Sequence, residues 1–154
     1  MIELVELQRI KRAAEALLTT IVGGPPEELV RNLRPRDEDY ARVFTPEAAE
    51  TARAGYLSLW NSPPRGLSKA GQTQVIAFAC DAESLRSDNE FSRNFPGGYQ
   101  KIAGFLKPEL VWVAFKTVIP GQTTGMAYDG LVYLDDHWAW FPKPWRILSS
   151  GDAN

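Results

Sequence analysis

Two charged residues interrupt apolar runs in the second half of the chain and are the strongest candidates for chemistry. If Ile119 lies opposite Thr124 in a pair of antiparallel strands, Lys116 and Asp129 fall diagonally on one sheet face. A charge in an apolar setting needs a partner, so a structural ion pair is one interpretation. The other is that burial raises the pKa of the Asp129 carboxyl and that this group acts as a general base.

Tyrosine hydroxyls are the next candidates. Tyr128 or Tyr40 could donate a hydrogen bond to a substrate, and with Asp129 as base they would form the catalytic set of a small isomerase or hydro-lyase. Core packing is the alternative role of each tyrosine. The candidates for ligand contacts are Trp112, Lys116 and Tyr56.

The sequence offers few residues for a nucleophilic catalytic site or for a metal site. His137 is the only histidine and follows Asp135-Asp136, where a hairpin turn is predicted, so we expect it to serve the turn. Cys80 is the only cysteine and ends an apolar strand, as a small buried hydrophobe does. The acidic residues between positions 81 and 90 lack the regular spacing and glycine of a calcium loop. We therefore expect no metal site and no cofactor.

Composition excludes several classes of protein. The 154 residues carry a net charge of −2 with no basic patch, which argues against nucleic-acid binding. No uncharged apolar run approaches the ~20 residues that span a bilayer, so we expect no membrane association. The first residues are acidic, unlike a signal peptide, and a single cysteine cannot form an internal disulfide. These features predict a cytoplasmic protein with one domain over residues 1–154.

Hydrophobic periodicity predicts helices in the first half of the chain. Residues 2–22 repeat apolar side chains at three- and four-residue steps, with charges on the other face. Gly23-Gly24 ends this helix, and Pro25-Pro26 begins another that reaches residue 33. We expect further helical segments at residues 37–44, 46–60 and 99–106.

The second half of the chain changes to the composition of strands. Residues 74–80, 110–119, 124–134 and 138–141 are apolar, and the last three segments are joined by short links. We expect an antiparallel meander with a tight turn at Asp135-Asp136, followed by a stiff proline-containing segment over the sheet. The predicted fold class is α+β.

The expected registers divide the meander into two faces, neither of them polar. One face would carry Trp112, Ala114, Lys116, Ala127, Asp129, Leu131, Tyr133, Trp138 and Trp140. The other would carry Val111, Val113, Phe115, Thr117, Met126, Tyr128, Val132, Ala139 and Phe141. A patch made by Trp112, Tyr133, Trp138 and Trp140 would favour a homodimer through the sheet. The alternative cover for this patch is the chain's own residues 142–148.

Helices followed by such a sheet resemble the cone-shaped superfamily that includes ketosteroid-isomerase-like and nuclear-transport-factor-like proteins, also described as cystatin-like cones. The resemblance covers residues 2–148 and is strongest over residues 125–141, where a long strand turns into one that carries tryptophan. The chain looks most like bacterial members of this superfamily. The resemblance implies helices packed on a curved antiparallel sheet, a pocket between them, and pairing of subunits through their sheets. Enzymes of the superfamily use an acidic residue in the pocket as a general base, and the resemblance implies that role for Asp129.

Fold alone does not set function, because the superfamily includes isomerases, dehydratases and non-enzymatic binding proteins. The sequence favours a non-catalytic accessory protein that binds a small apolar ligand or a protein partner. One alternative is an isomerase or hydro-lyase with Asp129 as general base. Another is an immunity-type protein that binds a toxin.

Overall fold

Four helices occupy the first half of the chain. The computed structural model describes residues 2–64, 67 and 69–148. Pro26 and Pro46 each occupy the first position of their helices, where the missing N–H has no intrahelical partner to lose. The long first helix buries one apolar stripe and exposes the charged one. The helices are α1 (Leu4–Val22), α2 (Pro26–Leu33), α3 (Asp39–Val43) and α4 (Pro46–Asn61).

A four-stranded antiparallel sheet occupies the second half, and its strands lie in chain order. The strands are β1 (Gln74–Asp81), β2 (Val111–Val118), β3 (Gly125–Tyr133) and β4 (Trp138–Trp140). Two one-turn helices accompany them, α5 (Gly98–Ile102) between β1 and β2 and α6 (Pro144–Leu148) after β4. The predicted α+β class is confirmed. The sequence did not predict α6.

The predicted hairpin turn between β3 and β4 is also confirmed. The Leu134 N–H donates a 3.0 Å hydrogen bond to the His137 carbonyl, and Asp135 has a positive φ of 67°. Aspartate tolerates this left-handed conformation better than most residues. The register of β3 and β4 therefore follows the expected one, with Val132 opposite Ala139.

A β-bulge in β3 changes the register that we expected between β2 and β3. Tyr128 pairs with Phe115 as expected, but Leu131 pairs with Val113, one step out of register. Ala114 consequently lies opposite two residues, Asp129 and Gly130. Gly130 has a φ of +93°, and a Cβ there would lie 2.1 Å from the Phe141 carbonyl oxygen. Only glycine fits this position.

Because side chains alternate along a strand, the bulge exchanges the faces of every β3 and β4 residue beyond it. Our face assignment is therefore wrong for Leu131, Tyr133, Trp138 and Trp140, which lie on the face away from Trp112. It is also wrong for Val132 and Ala139, which lie on the same face as Trp112. The face called here the Trp112 face carries Phe78, Cys80, Trp112, Ala114, Lys116, Ala127, Val132 and Ala139. The other, the Trp140 face, carries Ala77, Val113, Phe115, Tyr128, Leu131, Tyr133, Trp138 and Trp140.

Elements of the same chain cover both faces. Over the Trp140 face, the Arg9 guanidinium of α1 lies 5.5 Å from the Tyr133 ring centroid, and Trp60 of α4 meets the Trp140 ring edge-on. On the Trp112 face, the Trp112 ring contacts the rings of Phe44, Tyr99 and Phe141. Trp112 is 0% exposed and Trp140 3% exposed, so the continuous aromatic patch that we expected does not exist. None of the helices in the described residues has the length and apolar character that a membrane span requires.

Candidate functional site

Asp129 is buried at the β-bulge, with 5% of its surface exposed. Its Oδ1 atom accepts a 2.7 Å hydrogen bond from the Tyr99 hydroxyl of α5 and a 2.8 Å hydrogen bond from the Lys143 backbone N–H. The expected burial of Asp129 is confirmed. The tyrosine partner was not predicted.

Lys116 does not pair with Asp129, and the expected ion pair is wrong. The Lys116 ammonium lies 3.4 Å from the Thr123 carbonyl oxygen and 5.8 Å from the centroid of the Phe78 ring. A half-buried lysine commonly lays its stem on an apolar surface while its ammonium group contacts a carbonyl oxygen or an aromatic ring.

Burial raises the pKa of the Asp129 carboxyl above its ordinary value. The hydrogen bond from Tyr99, the Lys143 amide and the positive charges of Lys143 and Arg146 each act in the opposite direction, but burial has the larger effect. Asp129 therefore holds its proton to a higher pH than a solvated aspartate does.

A cavity of about 420 Å³ lies beside Asp129, between the Trp112 face and the segment that follows β4. We call residues 141–148 the strap and this space the strap cavity. Its walls come from three parts of the chain, namely the sheet, the segment before α5 and the strap. It is lined by Phe78, Asn94, Pro96, Ala114, Phe115, Lys116, Ala127, Tyr128, Asp129, Lys143, Trp145 and Arg146.

The strap is held in place by close packing and by one buried hydroxyl. A Cβ at Gly98 would lie 2.4 Å from Trp145 Cγ, so the indole ring lies directly on the backbone of α5. The Tyr56 hydroxyl of α4 donates a 2.9 Å hydrogen bond to the Pro142 carbonyl. Burial raises the pKa of Tyr56 well above its usual value, which keeps this donor protonated. The cavity wall formed by the strap is thus fixed by α4 and α5.

Three of the six predicted site residues border the strap cavity, namely Asp129, Lys116 and Tyr128. The Tyr128 ring stacks on Phe115, with ring centroids 5.2 Å apart, on the Trp140 face. The hydroxyl that lies beside Asp129 is that of Tyr99, and it donates to the carboxylate itself.

The other three predicted residues lie outside the cavity. Trp112 is fully buried among aromatic rings and cannot touch a ligand in this structure. Tyr56 anchors the strap instead of facing the cavity. Tyr40 packs edge-on against Phe141 and beneath the guanidinium of Arg53, and it borders a different depression. The predicted catalytic set of Asp129, Tyr128 and Tyr40 is therefore not assembled.

Sequence reasoning missed Tyr99, Lys143, Trp145 and Arg146. Lys143 precedes α6 with a φ of 50° and Arg146 lies within it, so no helical spacing in the sequence indicated that both border the cavity. Tyr99 was counted only as one apolar position of a helix.

His137 takes the structural role that its position predicted. Its Nε2 lies 2.9 Å from Oδ2 of Asp39, which is 0% exposed, and its Nδ1 lies 2.7 Å from Oδ1 of Asp136. The ring thereby joins the β3–β4 hairpin to α3. Cys80 is buried, as expected, and burial raises the pKa of its thiol to about 12. In the described part of the chain, no group of three His, Cys, Asp or Glu residues could hold a metal ion.

No family model, curated protein or solved structure matches this chain. The interpretation of the site therefore depends on its own residues.

Proposed function

We propose that this chain is a non-catalytic binding protein whose small ligand occupies the strap cavity. The observation that carries the proposal is the cavity wall, which combines apolar and aromatic surface with a few polar groups. Small-molecule sites of about 300–1,000 Å³ commonly have this composition. The packing of the strap on α4 and α5 supports a preformed site, since its wall needs no rearrangement to exist.

The arrangement of the acid favours binding over catalysis. Among the described residues that line the cavity, Asp129 is the only carboxylic acid, and both of its hydrogen bonds go to Oδ1. Proton transfer in an isomerase or hydro-lyase calls for a base and a separate acid or oxyanion donor near the same substrate. The Tyr99 hydroxyl already donates to Asp129.

A small isomerase or hydro-lyase is the second candidate, and the raised pKa of Asp129 is the observation that favours it. A carboxylate beside a cavity with a raised pKa is a stronger base than an ordinary aspartate, which suits general-base catalysis. Asp129→Asn separates the two candidates, because the amide keeps an oxygen that can accept both hydrogen bonds. A binding protein keeps its ligand affinity in this variant, whereas an enzyme that uses Asp129 loses turnover of the bound compound.

The proposed kinship with the cone-shaped superfamily is supported by helices that precede a curved antiparallel sheet and by a cavity on one sheet face. A homodimer remains a separate proposal. Trp112 and Trp140 would add nothing to its interface, because they are buried within the single chain. Sedimentation equilibrium at micromolar concentration tests it, since a mass that stays near 17.2 kDa would contradict a dimer.

Native mass spectrometry of gently purified protein tests the proposed function. Ala127 is exposed, borders the cavity and lies opposite Lys116 in the sheet, so Ala127→Trp places an indole in the cavity without disturbing the core. Gln122→Trp, at the exposed β2–β3 connection, is the matched control. We expect a small-molecule adduct in the wild type and in the control, and none in Ala127→Trp. An adduct that survives in Ala127→Trp would contradict the proposed site.

A further inference from the structure

The strap cavity carries an excess of positive charge in a chain whose net charge is negative. Lys116, Lys143 and Arg146 border it, and Asp129 is the only acid among its described lining residues. Three cations against one carboxyl leave a surplus of at least two positive charges. The whole chain has a net charge of −2, so this surplus is local to the cavity.

These cations have no carboxylate partner in the described part of the chain. Eight basic side chains on the helices and loops lie within 4 Å of acids, whereas others such as Arg12, Arg34 and Lys101 have no described acid that close. The eight are Arg9, Lys11, Arg31, Arg36, Arg42, Arg53, Arg86 and Arg93. No described acid lies that close to Lys116, Lys143 or Arg146. Cations that converge on a cavity without a protein partner are available to an anion in the cavity.

Charge and apolar surface are separated within the cavity. Lys143 and Arg146 are exposed on the strap at the mouth, three residues apart, with Lys143 just before α6 and Arg146 within it. Ala114 is buried deeper on the Trp112 face, and Phe78 and Trp145 supply half-buried aromatic surface. A guanidinium can bind a carboxylate or phosphate through two parallel hydrogen bonds, and a neighbouring ammonium adds a point charge.

We infer that the ligand of the strap cavity is an amphipathic organic anion. Its carboxylate, phosphate or sulfonate lies at the mouth between Lys143 and Arg146, with Lys116 on the sheet side. Its apolar body packs against Phe78, Ala114 and Trp145. This inference rests on the proposed function and adds the chemical class of the ligand.

Two fluorescent probes with the same aromatic body and different charge test the inference. 8-Anilinonaphthalene-1-sulfonate carries one negative charge, and N-phenyl-1-naphthylamine lacks the sulfonate. Fluorescence titration of the full chain gives a Kd for each probe, and near-UV circular dichroism verifies that each variant keeps native packing. We expect the sulfonate to bind at least about tenfold more tightly than the neutral probe, because a hydrogen-bonded charge contributes about this much.

Charge-removing variants assign the effect to the cavity. Lys143→Gln and Arg146→Gln should each weaken sulfonate binding by about tenfold and change the Kd of the neutral probe by less than about twofold. Lys101→Gln, an exposed lysine of α5 outside the cavity lining, is the matched control and should change neither Kd. Sodium phosphate should displace the sulfonate no better than sodium chloride at equal ionic strength, because phosphate has no apolar body.

The outcomes separate the inference from the proposed function. One outcome would overturn the anion preference and leave the binding function. In that outcome both probes bind equally well, Ala127→Trp abolishes binding of both, and the charge variants bind both as the wild type does. Displacement by phosphate beyond the salt effect would overturn the requirement for an apolar body. If neither probe binds, or if Ala127→Trp leaves both affinities unchanged, the strap cavity is not the ligand site and the proposed function fails with the inference.

Discussion

The Tyr99 hydroxyl donates a 2.7 Å hydrogen bond to Asp129 Oδ1 and thereby joins α5 to the β-bulge of β3. The same oxygen accepts the Lys143 N–H of the strap, so three segments meet at one atom. Trp140 of β4 adds a third hydrogen bond, because its indole Nε1–H donates to the Asp129 backbone carbonyl at 2.7 Å. Asp129 is thus a structural junction as well as part of the cavity wall.

Asp129→Ala should destabilise the fold by about 1–3 kcal/mol, because it removes two hydrogen bonds and leaves the buried Tyr99 hydroxyl without an acceptor. Urea unfolding followed by circular dichroism gives the free energy of unfolding. Asp129→Asn is the control and should lose less, since its amide oxygen can accept both bonds. An unchanged unfolding midpoint in Asp129→Ala would contradict the role of the junction.

The raised pKa of Asp129 predicts a specific pH dependence of stability. The folded state holds the proton of this carboxyl at pH values where the unfolded chain has released it. The unfolded state therefore binds fewer protons, and the contribution of Asp129 to stability falls as pH rises from the ordinary aspartate pKa through the raised folded value. Asparagine does not titrate. Asp129→Asn should consequently gain stability relative to the wild type as pH rises through this window, and a constant difference would exclude the raised pKa.

Gly130→Ala should be strongly destabilising, by about 2–4 kcal/mol, since the position combines a φ of +93° with a 2.1 Å approach of the Phe141 carbonyl oxygen. Gly121→Ala is a matched control, because Gly121 has a φ of +89° and no neighbouring atom within 4 Å of an added Cβ. We expect the control to lose about 1–2 kcal/mol from backbone strain alone. Equal losses in thermal or urea unfolding would show that the contact between Gly130 and Phe141 has no importance.

His137→Ala should destabilise the fold by about 1–3 kcal/mol, because the fully buried Asp39 would lose its imidazole partner and keep only the Arg36 N–H. Asp136→Ala removes the other carboxylate that contacts His137, but that side chain is exposed, so we expect a loss below about 1 kcal/mol. The comparison is made by urea unfolding at neutral pH. A larger loss from Asp136→Ala would show that the ring serves the turn and not the contact with α3.

The amino-acid sequence by itself determined the elements and much of their pairing. Apolar steps of three and four gave α1, proline positions gave the starts of α2 and α4, and β-branched and aromatic runs gave the strands. Asp135 and Asp136 located the hairpin, and Asp129 was recognised as a buried acid because it interrupts an apolar strand. All of these signals are local, since each depends on a few neighbouring residues.

Only the tertiary structure decided the faces of the sheet and the content of the site. The bulge at Gly130 lies where the Phe141 backbone continues the pairing of β4 with β3, and no local pattern around Gly130 indicates that close approach. One inserted residue then exchanges every later side chain between the faces, since the period of a strand is two. Tyr99 and Lys143 lie 30 and 14 positions from Asp129 in the chain, so their meeting depends on how α5 and the strap pack, which periodicity does not encode.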